Sequence, residues 1–258
     1  MSDLFDLSGR TAVVTGGSRG IGLMMARGLL QAGASVVISS RKAAGCEAAV
    51  ASLSEYGEVW AVPADLSSER ECLRLAAEVS DRVDRLHLLV NNAGAVWGAP
   101  LAEFPESAWD KLVDVNLKAP FFLTRAFLPL LLASASEDDP ARVINVGSID
   151  GLRVPAFPTY SYSATKAALH HLTRVLAVEL GPRWITVNAI APGPFESKMT
   201  EDVMGVFEAA VRERAPLRRI GRDDDMAGTA VFLASRAAAY ITGAVIPVDG
   251  GITVTPGL

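Results

Sequence analysis

The sequence predicts an α/β fold, a doubly wound parallel sheet of about seven strands with helices on both faces. Short apolar runs alternate with longer stretches of helical spacing along the whole chain. Most of these runs are continuous in Val, Ile and Leu, which is the pattern of parallel strands buried on both faces. The first run passes through a glycine-rich turn directly into a helix, and the same alternation repeats to the end of the chain.

Seven runs have the length and composition of strands, namely residues 11–15, 35–39, 59–62, 86–90, 142–146, 185–190 and 244–248. Six stretches have helical spacing, namely residues 21–31, 43–56, 69–79, 106–132, 165–180 and 223–234. Segment 194–217 breaks the alternation after a Pro-Gly-Pro turn, and it would lie at the carboxyl edge of the sheet, where ligands bind in such folds. No linker and no internal repeat is found, so residues 1–258 are expected to form a single domain.

Composition and charge limit the classes of protein that fit. The chain has 258 residues, of which 50% are hydrophobic, and a chain of this length buries roughly 70–75% of its unfolded surface. Cys46 and Cys72 lack metal-ligand spacing, so we expect two reduced thiols in the cytoplasm. The net charge of −5 and the absence of a basic stripe argue against a nucleic-acid partner. The N-terminus has no signal-like apolar region, and Arg125 and Pro129 interrupt the most apolar helix, which argues against a membrane partner.

The turn after the first strand has the composition of a phosphate-binding loop. Glycines let the backbone turn tightly and approach a pyrophosphate, and the N-terminus of the next helix offers unpaired N–H groups and the positive end of its dipole. The spacing G-x-x-x-G-x-G differs from the G-x-G-x-x-G of the common dinucleotide fingerprint. The candidate contacts in this turn are Gly16, Ser18, Arg19, Gly20, Ile21 and Gly22.

The end of the second strand indicates which dinucleotide binds. A free ribose 2′-hydroxyl requires a carboxylate near this point, whereas a 2′-phosphate requires arginine. Ser40 and Arg41 stand there with no Asp or Glu beside them, and Arg19 could reach the same phosphate. The sequence therefore favours NADP(H) over NAD(H).

Further motifs follow in a fixed order along the chain. They are Asn91-Asn92-Ala93-Gly94, Ser148, Tyr162-Ser163-Ala164-Thr165-Lys166, Pro192-Gly193 and Val248-Asp249-Gly250-Gly251. With the glycine turn, they make the chain resemble the short-chain dehydrogenase/reductase family over nearly its whole length, which implies a Rossmann fold. Segments 56–58, 63–69, 134–142 and 191–200 are most similar to the β-ketoacyl (3-oxoacyl) reductases associated with rhamnolipid synthesis.

The resemblance implies an oxidoreductase that reduces a carbonyl with NADPH and uses four catalytic residues. Tyr162 is the implied proton donor, and Lys166, four residues further on, lies on the same helix face. A neighbouring ammonium stabilises the phenolate and lowers the pKa of a tyrosine from its usual value near ~10. Ser148 is implied to hydrogen-bond the substrate carbonyl, and Asn116 to support a water-mediated proton path to the lysine.

The resemblance also implies cofactor contacts outside the glycine turn. Asp65 would contact the adenine amino group, and Asn91 would line the ribose and pyrophosphate side. Ser197 stands for the family's usual threonine, which holds the carboxamide. The remaining implied contacts are Ala64, Leu66, Asn92, Ala93, Gly94, Tyr162, Lys166, Pro192, Gly193 and Phe195.

The sequence leaves the substrate open. Candidate pocket residues are mainly apolar, which favours a hydrophobic ketone or a β-ketoacyl thioester; they are Val96, Trp97, Ile149, Leu152, Phe157, Phe195 and Met199. Two alternatives remain, a dehydrogenase that oxidises a secondary alcohol, sugar or sterol, and a dinucleotide-binding sensor that has lost catalysis. The last helix and the tail from residue 247 to 258 resemble the family's tetramer contacts, so a homotetramer is expected. No metal is expected, because His87, His170 and His171 have no second ligand at metal spacing.

Overall fold

The computed structural model of the chain describes residues 2–195, 209 and 211–255. Within this part of the chain, seven parallel strands form one sheet in the order β3-β2-β1-β4-β5-β6-β7. The strands are β1 (Thr11–Thr15), β2 (Ser35–Ser39), β3 (Val59–Ala61), β4 (Leu88–Asn91), β5 (Ala141–Val146), β6 (Ile185–Pro192) and β7 (Val245–Val248). The predicted doubly wound α/β fold is confirmed.

Helices cover both faces of the sheet. They are α1 (Gly20–Gln31), α2 (Ala43–Leu53), α3 (Glu69–Ser80), α4 (Glu106–Val113), α5 (Ala119–Ser134), α6 (Tyr160–Leu180) and α7 (Asp223–Ala234). One core packs α1, α2 and α7 against the sheet, around Met25, Leu29 and Met226. The other core packs α3, α5 and α6 against the opposite face, around Leu75, Phe127 and Leu176.

The strand order reverses direction between β1 and β4. β1 pairs with β2 on one side and with β4 on the other, so the loops that follow β1 and β4 diverge to opposite faces of the sheet. Such a switch point leaves a crevice at the carboxyl ends of the strands, and ligands bind there in folds of this type. The predicted site residues therefore converge on this edge.

Two helices differ from their predicted form. The stretch predicted as one helix over residues 106–132 is divided into α4 and α5 by a π-turn, Asp114–Lys118. The helix predicted over residues 165–180 begins earlier, at Tyr160, so Tyr162 lies within α6. Both differences arise from tertiary contacts of the site, which helical periodicity does not report.

A buried ionic cluster closes the opposite, amino edge of the sheet. Arg142 at the start of β5 is 2% exposed and donates to Asp139 Oδ1 at 2.8 Å and to the Ser235 carbonyl at 3.0 Å. Arg10 pairs with the other oxygen of Asp139 at 2.9 Å. Burial lowers the pKa of Arg142, and the Asp139 carboxylate opposes that effect. One carboxylate thus compensates two guanidinium groups.

The continuous helical run Glu106–Ser134 would pass for a membrane span by its length and its mean hydropathy of 1.3. Core helices of water-soluble proteins pass the same test. Leu123, Phe127 and Leu131 of this run are buried against the sheet, so the run is weak evidence for a membrane partner.

Candidate active site

The glycine turn after β1 has a backbone that other residues would not adopt easily. Gly16 has φ 67° and Gly20 has φ 53°, which is the left-handed region that favours glycine. A β-carbon at Gly22 would lie 2.4 Å from Asn92 Nδ2 and 2.4 Å from the Gly16 carbonyl oxygen. The turn is therefore packed directly on Asn92, whose Nδ2 also donates to the Thr15 carbonyl at 2.8 Å.

The N-terminus of α1 has the features of an anion-binding site. It begins without a side-chain cap and without an acidic residue in its first turn, so its first N–H groups are left for a ligand. Ser18 and Ser40 are joined by a hydrogen bond of 3.0 Å between their hydroxyl groups. Arg19 and Arg41 are exposed on either side of this pair. The predicted pyrophosphate and 2′-phosphate contacts therefore lie together.

The loops after β3 and β4 continue the same edge. Ala64 donates its N–H to the Ser40 carbonyl at 3.1 Å, which brings residues 64–66 beside the end of β2; Ala64 and Leu66 are buried and Asp65 is exposed. Asn91 does not line the edge as expected. Its amide donates to Asn145 Oδ1 at 2.9 Å in the interior, because alternation along β4 turns it away from the cleft.

The π-turn places Asn116 against the loop after β4. Asn116 accepts from the Ala95 N–H at 2.9 Å, and its amide donates to the Ala95 carbonyl at 2.9 Å and to Thr165 Oγ1 at 3.2 Å. A β-carbon at Gly94 would lie 3.2 Å from Asn116 Oδ1 and 3.6 Å from Lys166 Nζ. Asn116 thus ties the cleft loop to α6, close to the lysine.

Tyr162, Lys166 and Ser148 meet at the carboxyl end of β5. The hydroxyl of Ser148 is hydrogen-bonded to Tyr162 and accepts from the Asp150 N–H at 3.1 Å. Lys166 Nζ lies 5.7 Å from the centroid of the Tyr162 ring and donates to the Val146 carbonyl at 2.7 Å. The serine and the tyrosine can therefore share one substrate oxygen.

The protonation of the pair differs from the expectation. Burial raises the pKa of Tyr162; the hydrogen bond from Ser148 lowers it, and the negative charge of Asp150 raises it further. Burial also lowers the pKa of Lys166 to about 8, and the ammonium is not among the groups that shift the pKa of Tyr162. Tyr162 is therefore held as a neutral phenol, the form that donates a proton.

The end of β6 carries the last predicted cofactor contacts. Gly193 donates its N–H to the Val248 carbonyl at 2.9 Å, which fixes Pro192 and Gly193 beside the end of β7. Phe195 is buried in the core with Ile190. The predicted contact Ser197 lies outside the described residues, as does the pocket candidate Met199.

Apolar side chains are exposed around the mouth of this cleft. Two hydrogen bonds hold the loop that joins Ser148 to Tyr162. The Ala99 N–H of the loop after β4 donates to the Pro158 carbonyl at 3.2 Å. The Arg153 guanidinium donates to the Ile252 carbonyl of the C-terminal region at 3.2 Å. Large apolar residues are exposed on these segments, namely Trp97, Leu101, Leu152, Val154, Phe157 and Val254, and so is Leu217, whose N–H donates to the Gly250 carbonyl of the C-terminal region at 3.1 Å. We call them the apolar rim.

Two residues of the site were missed by sequence reasoning. Thr165 accepts a hydrogen bond from the amide of Asn116. This role becomes visible only once the position of the π-turn is known. Asp150 is half-buried, and burial raises its pKa while Arg153 lowers it. Its position two residues after Ser148 was the available signal.

The fold and the site place the chain among the dinucleotide-dependent oxidoreductases, because an open anion site at the switch point lies beside a proton donor and a lysine. A family model described as enoyl-(acyl carrier protein) reductase matches residues 16–253. The chain is 49% identical over 253 residues to the rhamnolipids biosynthesis 3-oxoacyl-[acyl-carrier-protein] reductase of Pseudomonas aeruginosa, covering 97% of this chain and 99% of the relative. It is 35% identical to the gluconate 5-dehydrogenase of Gluconobacter oxydans, with 98% of each chain covered.

Solved structures agree with these relatives. The RhlG/NADP active-site complex of Pseudomonas aeruginosa superposes with a TM-score of 0.95 at 48% identity, covering 98% of this chain and 100% of the other. A gluconate 5-dehydrogenase of Burkholderia cenocepacia, in complex with NADP and tartrate, superposes with a TM-score of 0.91 at 32% identity, with 99% of each chain covered. The chain belongs to the short-chain dehydrogenase/reductase family.

Proposed function

We propose that the protein is an NADPH-dependent reductase of 3-oxoacyl thioesters. The observation that carries the proposal is the hydrogen-bonded pair of Ser148 and Tyr162, joined by a loop that carries part of the apolar rim. A carbonyl held by the two hydroxyl groups leaves its acyl chain among apolar side chains. The likeness to a 3-oxoacyl-[acyl-carrier-protein] reductase over nearly the whole chain supports the same substrate class.

The switch point fits NADP(H). A β-carbon at Gly20 would meet no atom within 4 Å, so the approach to the N-terminus of α1 is open to a pyrophosphate. Arg41 and Arg19 would neutralise a 2′-phosphate, which a carboxylate at this point would repel. Ala64, Asp65 and Leu66 would border the adenine, and Ala93, Gly94, Pro192 and Gly193 the nicotinamide half. The bound cofactor supplies the hydride.

The chain's own residues supply orientation and the proton. Ser148 donates a hydrogen bond to the substrate carbonyl oxygen and aligns it with the phenol. Tyr162 donates its proton to the same oxygen as the alcohol forms. Lys166 lies beside the resulting phenolate and opposes its charge, and Asn116 holds the loop and the helix that carry these groups at a fixed separation.

A substrate panel with both cofactors tests the proposal. NADPH oxidation is measured with a 3-oxoacyl thioester, a simple β-keto ester and 5-ketogluconate, and the reverse reaction with the matching alcohols. We expect the thioester to give the highest kcat/KM, because its chain contacts the apolar rim. Preferential turnover of 5-ketogluconate would overturn the thioester assignment, and preferential oxidation of a sugar alcohol would support the dehydrogenase alternative.

The cofactor preference depends on Arg41. Replacing Arg41 with Ala removes the guanidinium that would face the 2′-phosphate, so the KM for NADPH should rise at least about tenfold. The KM for NADH should change little, because NADH has no phosphate there. Arg82→Ala, at an exposed arginine after α3, is the matched control. An equal rise for the two cofactors would contradict the assignment.

We also propose that the protein is a homotetramer in the cytoplasm. Only 33% of the most apolar window of Glu106–Ser134 is buried within one chain, and Trp109, Phe121, Val175 and Val178 are exposed on α4, α5 and α6. A second copy would cover this surface. A mass of one 27.2 kDa chain in light scattering would refute the assembly. Two buried free thiols are compatible with a reducing compartment.

A further inference from the structure

One buried titratable side chain on α6 has no part in the chemistry described so far. His170 is 2% exposed, and neither ring nitrogen has a hydrogen-bond partner of normal geometry among the described residues. Burial lowers the pKa of His170 to about 4, and the charge of Lys166 acts in the same direction, whereas the nearby Gly151 backbone raises it. The ring is therefore neutral at neutral pH. An unpaired buried polar ring costs stability, so its position needs an explanation.

The ring of His170 packs against the turn that carries Ser148, residues 147–151. A β-carbon at Gly147 would lie 2.0 Å from His170 Nε2. No side chain fits at that distance, so the imidazole occupies space that exists because residue 147 is glycine. At Gly151 a β-carbon would lie 2.7 Å from the backbone N of Ala167 and 2.9 Å from His170 Cε1, so this end of the turn packs against both the α6 backbone and the ring.

The same helix face contacts three consecutive residues at the end of β5. Tyr162, Lys166 and His170 are spaced four residues apart and form one row on α6. Lys166 donates to the carbonyl of Val146, His170 packs against the glycine that follows, and Tyr162 is hydrogen-bonded to Ser148. His170 thus sets the separation between α6 and the strand end that carries the catalytic serine.

We propose that His170 is a positioning residue that holds Ser148 in place for the substrate carbonyl. The inference rests on the proposed reduction, in which Ser148 and Tyr162 share that oxygen. His170 acts by its shape and only through Ser148. A smaller side chain lets the turn move towards α6 and separates the two hydroxyl groups, whereas the anion site at α1 is untouched.

A double-mutant cycle with Ser148 tests this route of action. We expect His170→Ala to lower kcat about 10- to 100-fold, the cost of a misplacement of about 1 Å, and to leave the KM for NADPH within about twofold. In a Ser148→Ala background, measured at high enzyme concentration, His170→Ala should change kcat less than about twofold. An equal loss in both backgrounds, or no loss in either, would overturn the proposal. His170→Asn replaces the alanine variant if that variant does not fold.

A second cycle needs no turnover and reports the contact itself. Gly147→Ala alone should lower the midpoint of thermal unfolding by about 4–8 °C, because its methyl group overlaps the imidazole. The same change in the His170→Ala protein should cost less than half of that shift. Additive shifts would show that the ring does not occupy this space, and would overturn the proposal. His171→Ala, at the exposed neighbouring position, should change neither kcat nor the midpoint.

The two cycles separate this inference from the proposed function. The rates are measured with a 3-oxobutanoyl thioester and with a β-keto ester. If the unmodified protein reduces only the ester, the thioester assignment fails, while the Ser148 cycle is completed on the ester. If it reduces neither, the carbonyl-reductase assignment fails and the positioning of a substrate carbonyl fails with it, even where the unfolding cycle shows the contact.

Discussion

Replacing Tyr162 with Phe should lower kcat for carbonyl reduction about 10³-fold, while the KM for NADPH stays within about threefold. The phenol is the one group at the site that is held neutral and hydrogen-bonded to Ser148. A positioned proton donor contributes roughly 10²–10⁴-fold to a rate. The ring itself remains in the variant, so packing and cofactor binding are preserved. Steady-state kinetics together with NADPH titration measure the two effects separately.

Tyr160→Phe is the matched control, because it removes the same hydroxyl group two residues away. Tyr160 is the first residue of α6, and its ring packs edge-on against Phe104 at 5.4 Å between centroids. Its hydroxyl group is not needed for that packing, so kcat should stay within twofold. Comparable losses in the two variants, or a Tyr162→Phe protein within fivefold of full activity, would remove Tyr162 as the proton donor.

Replacing Asp139 with Ala should lower the free energy of unfolding by about 3 kcal/mol. The change leaves the guanidinium groups of Arg142 and Arg10 without their shared carboxylate at the amino edge of the sheet. Asp139 is itself partly exposed, with a side-chain accessibility of 35%, so we take the lower end of the range for broken buried pairs. The midpoint of thermal unfolding should fall by about 6–12 °C. Urea unfolding and thermal melting both measure the loss.

Asp138→Ala removes a carboxylate from the exposed neighbouring position and should change the stability by less than about 0.5 kcal/mol. Arg142→Met in the Asp139→Ala protein removes the uncompensated charge as well, and part of the lost stability should return. Equal stabilities for the Asp138 and Asp139 variants would show that the cluster contributes nothing. Neither aspartate lies near the catalytic cleft, so kcat should be unchanged in both folded variants.

The strands could be predicted because their signal is local. A run such as residues 35–39 is short and has a β-branched apolar centre, and burial on both faces needs nothing more. The glycine turn could also be predicted, because it follows the first strand and precedes a helix. The pair Tyr162 and Lys166 could be predicted as well, because a spacing of four residues puts both side chains on one helix face. The preference for NADP(H) followed from Arg41 and agrees with the NADP complexes of two similar structures.

The remaining features depend on contacts between distant segments. Nothing near Asn91 in the sequence shows that its amide turns inward to Asn145. The pKa of Tyr162 is shifted upwards by the burial of the ring and by the charge of Asp150. A spacing of four residues reports neither of these. His170 packs against the turn that carries Ser148, and that contact depends on Gly147, a residue of another segment.

The π-turn at Asp114–Lys118 lets the helical run hold one additional residue without changing the phase of the helices on either side. Each residue of an α-helix advances the side chains by about 100°, and a wide turn absorbs that advance because it holds one residue more than a regular one. Without the extra residue the turn would close to regular α-helical geometry, and α5 would still bury Phe127. A single-residue deletion in this turn would therefore leave the core in place and remove the distortion that brings Asn116 to Ala95 and Thr165.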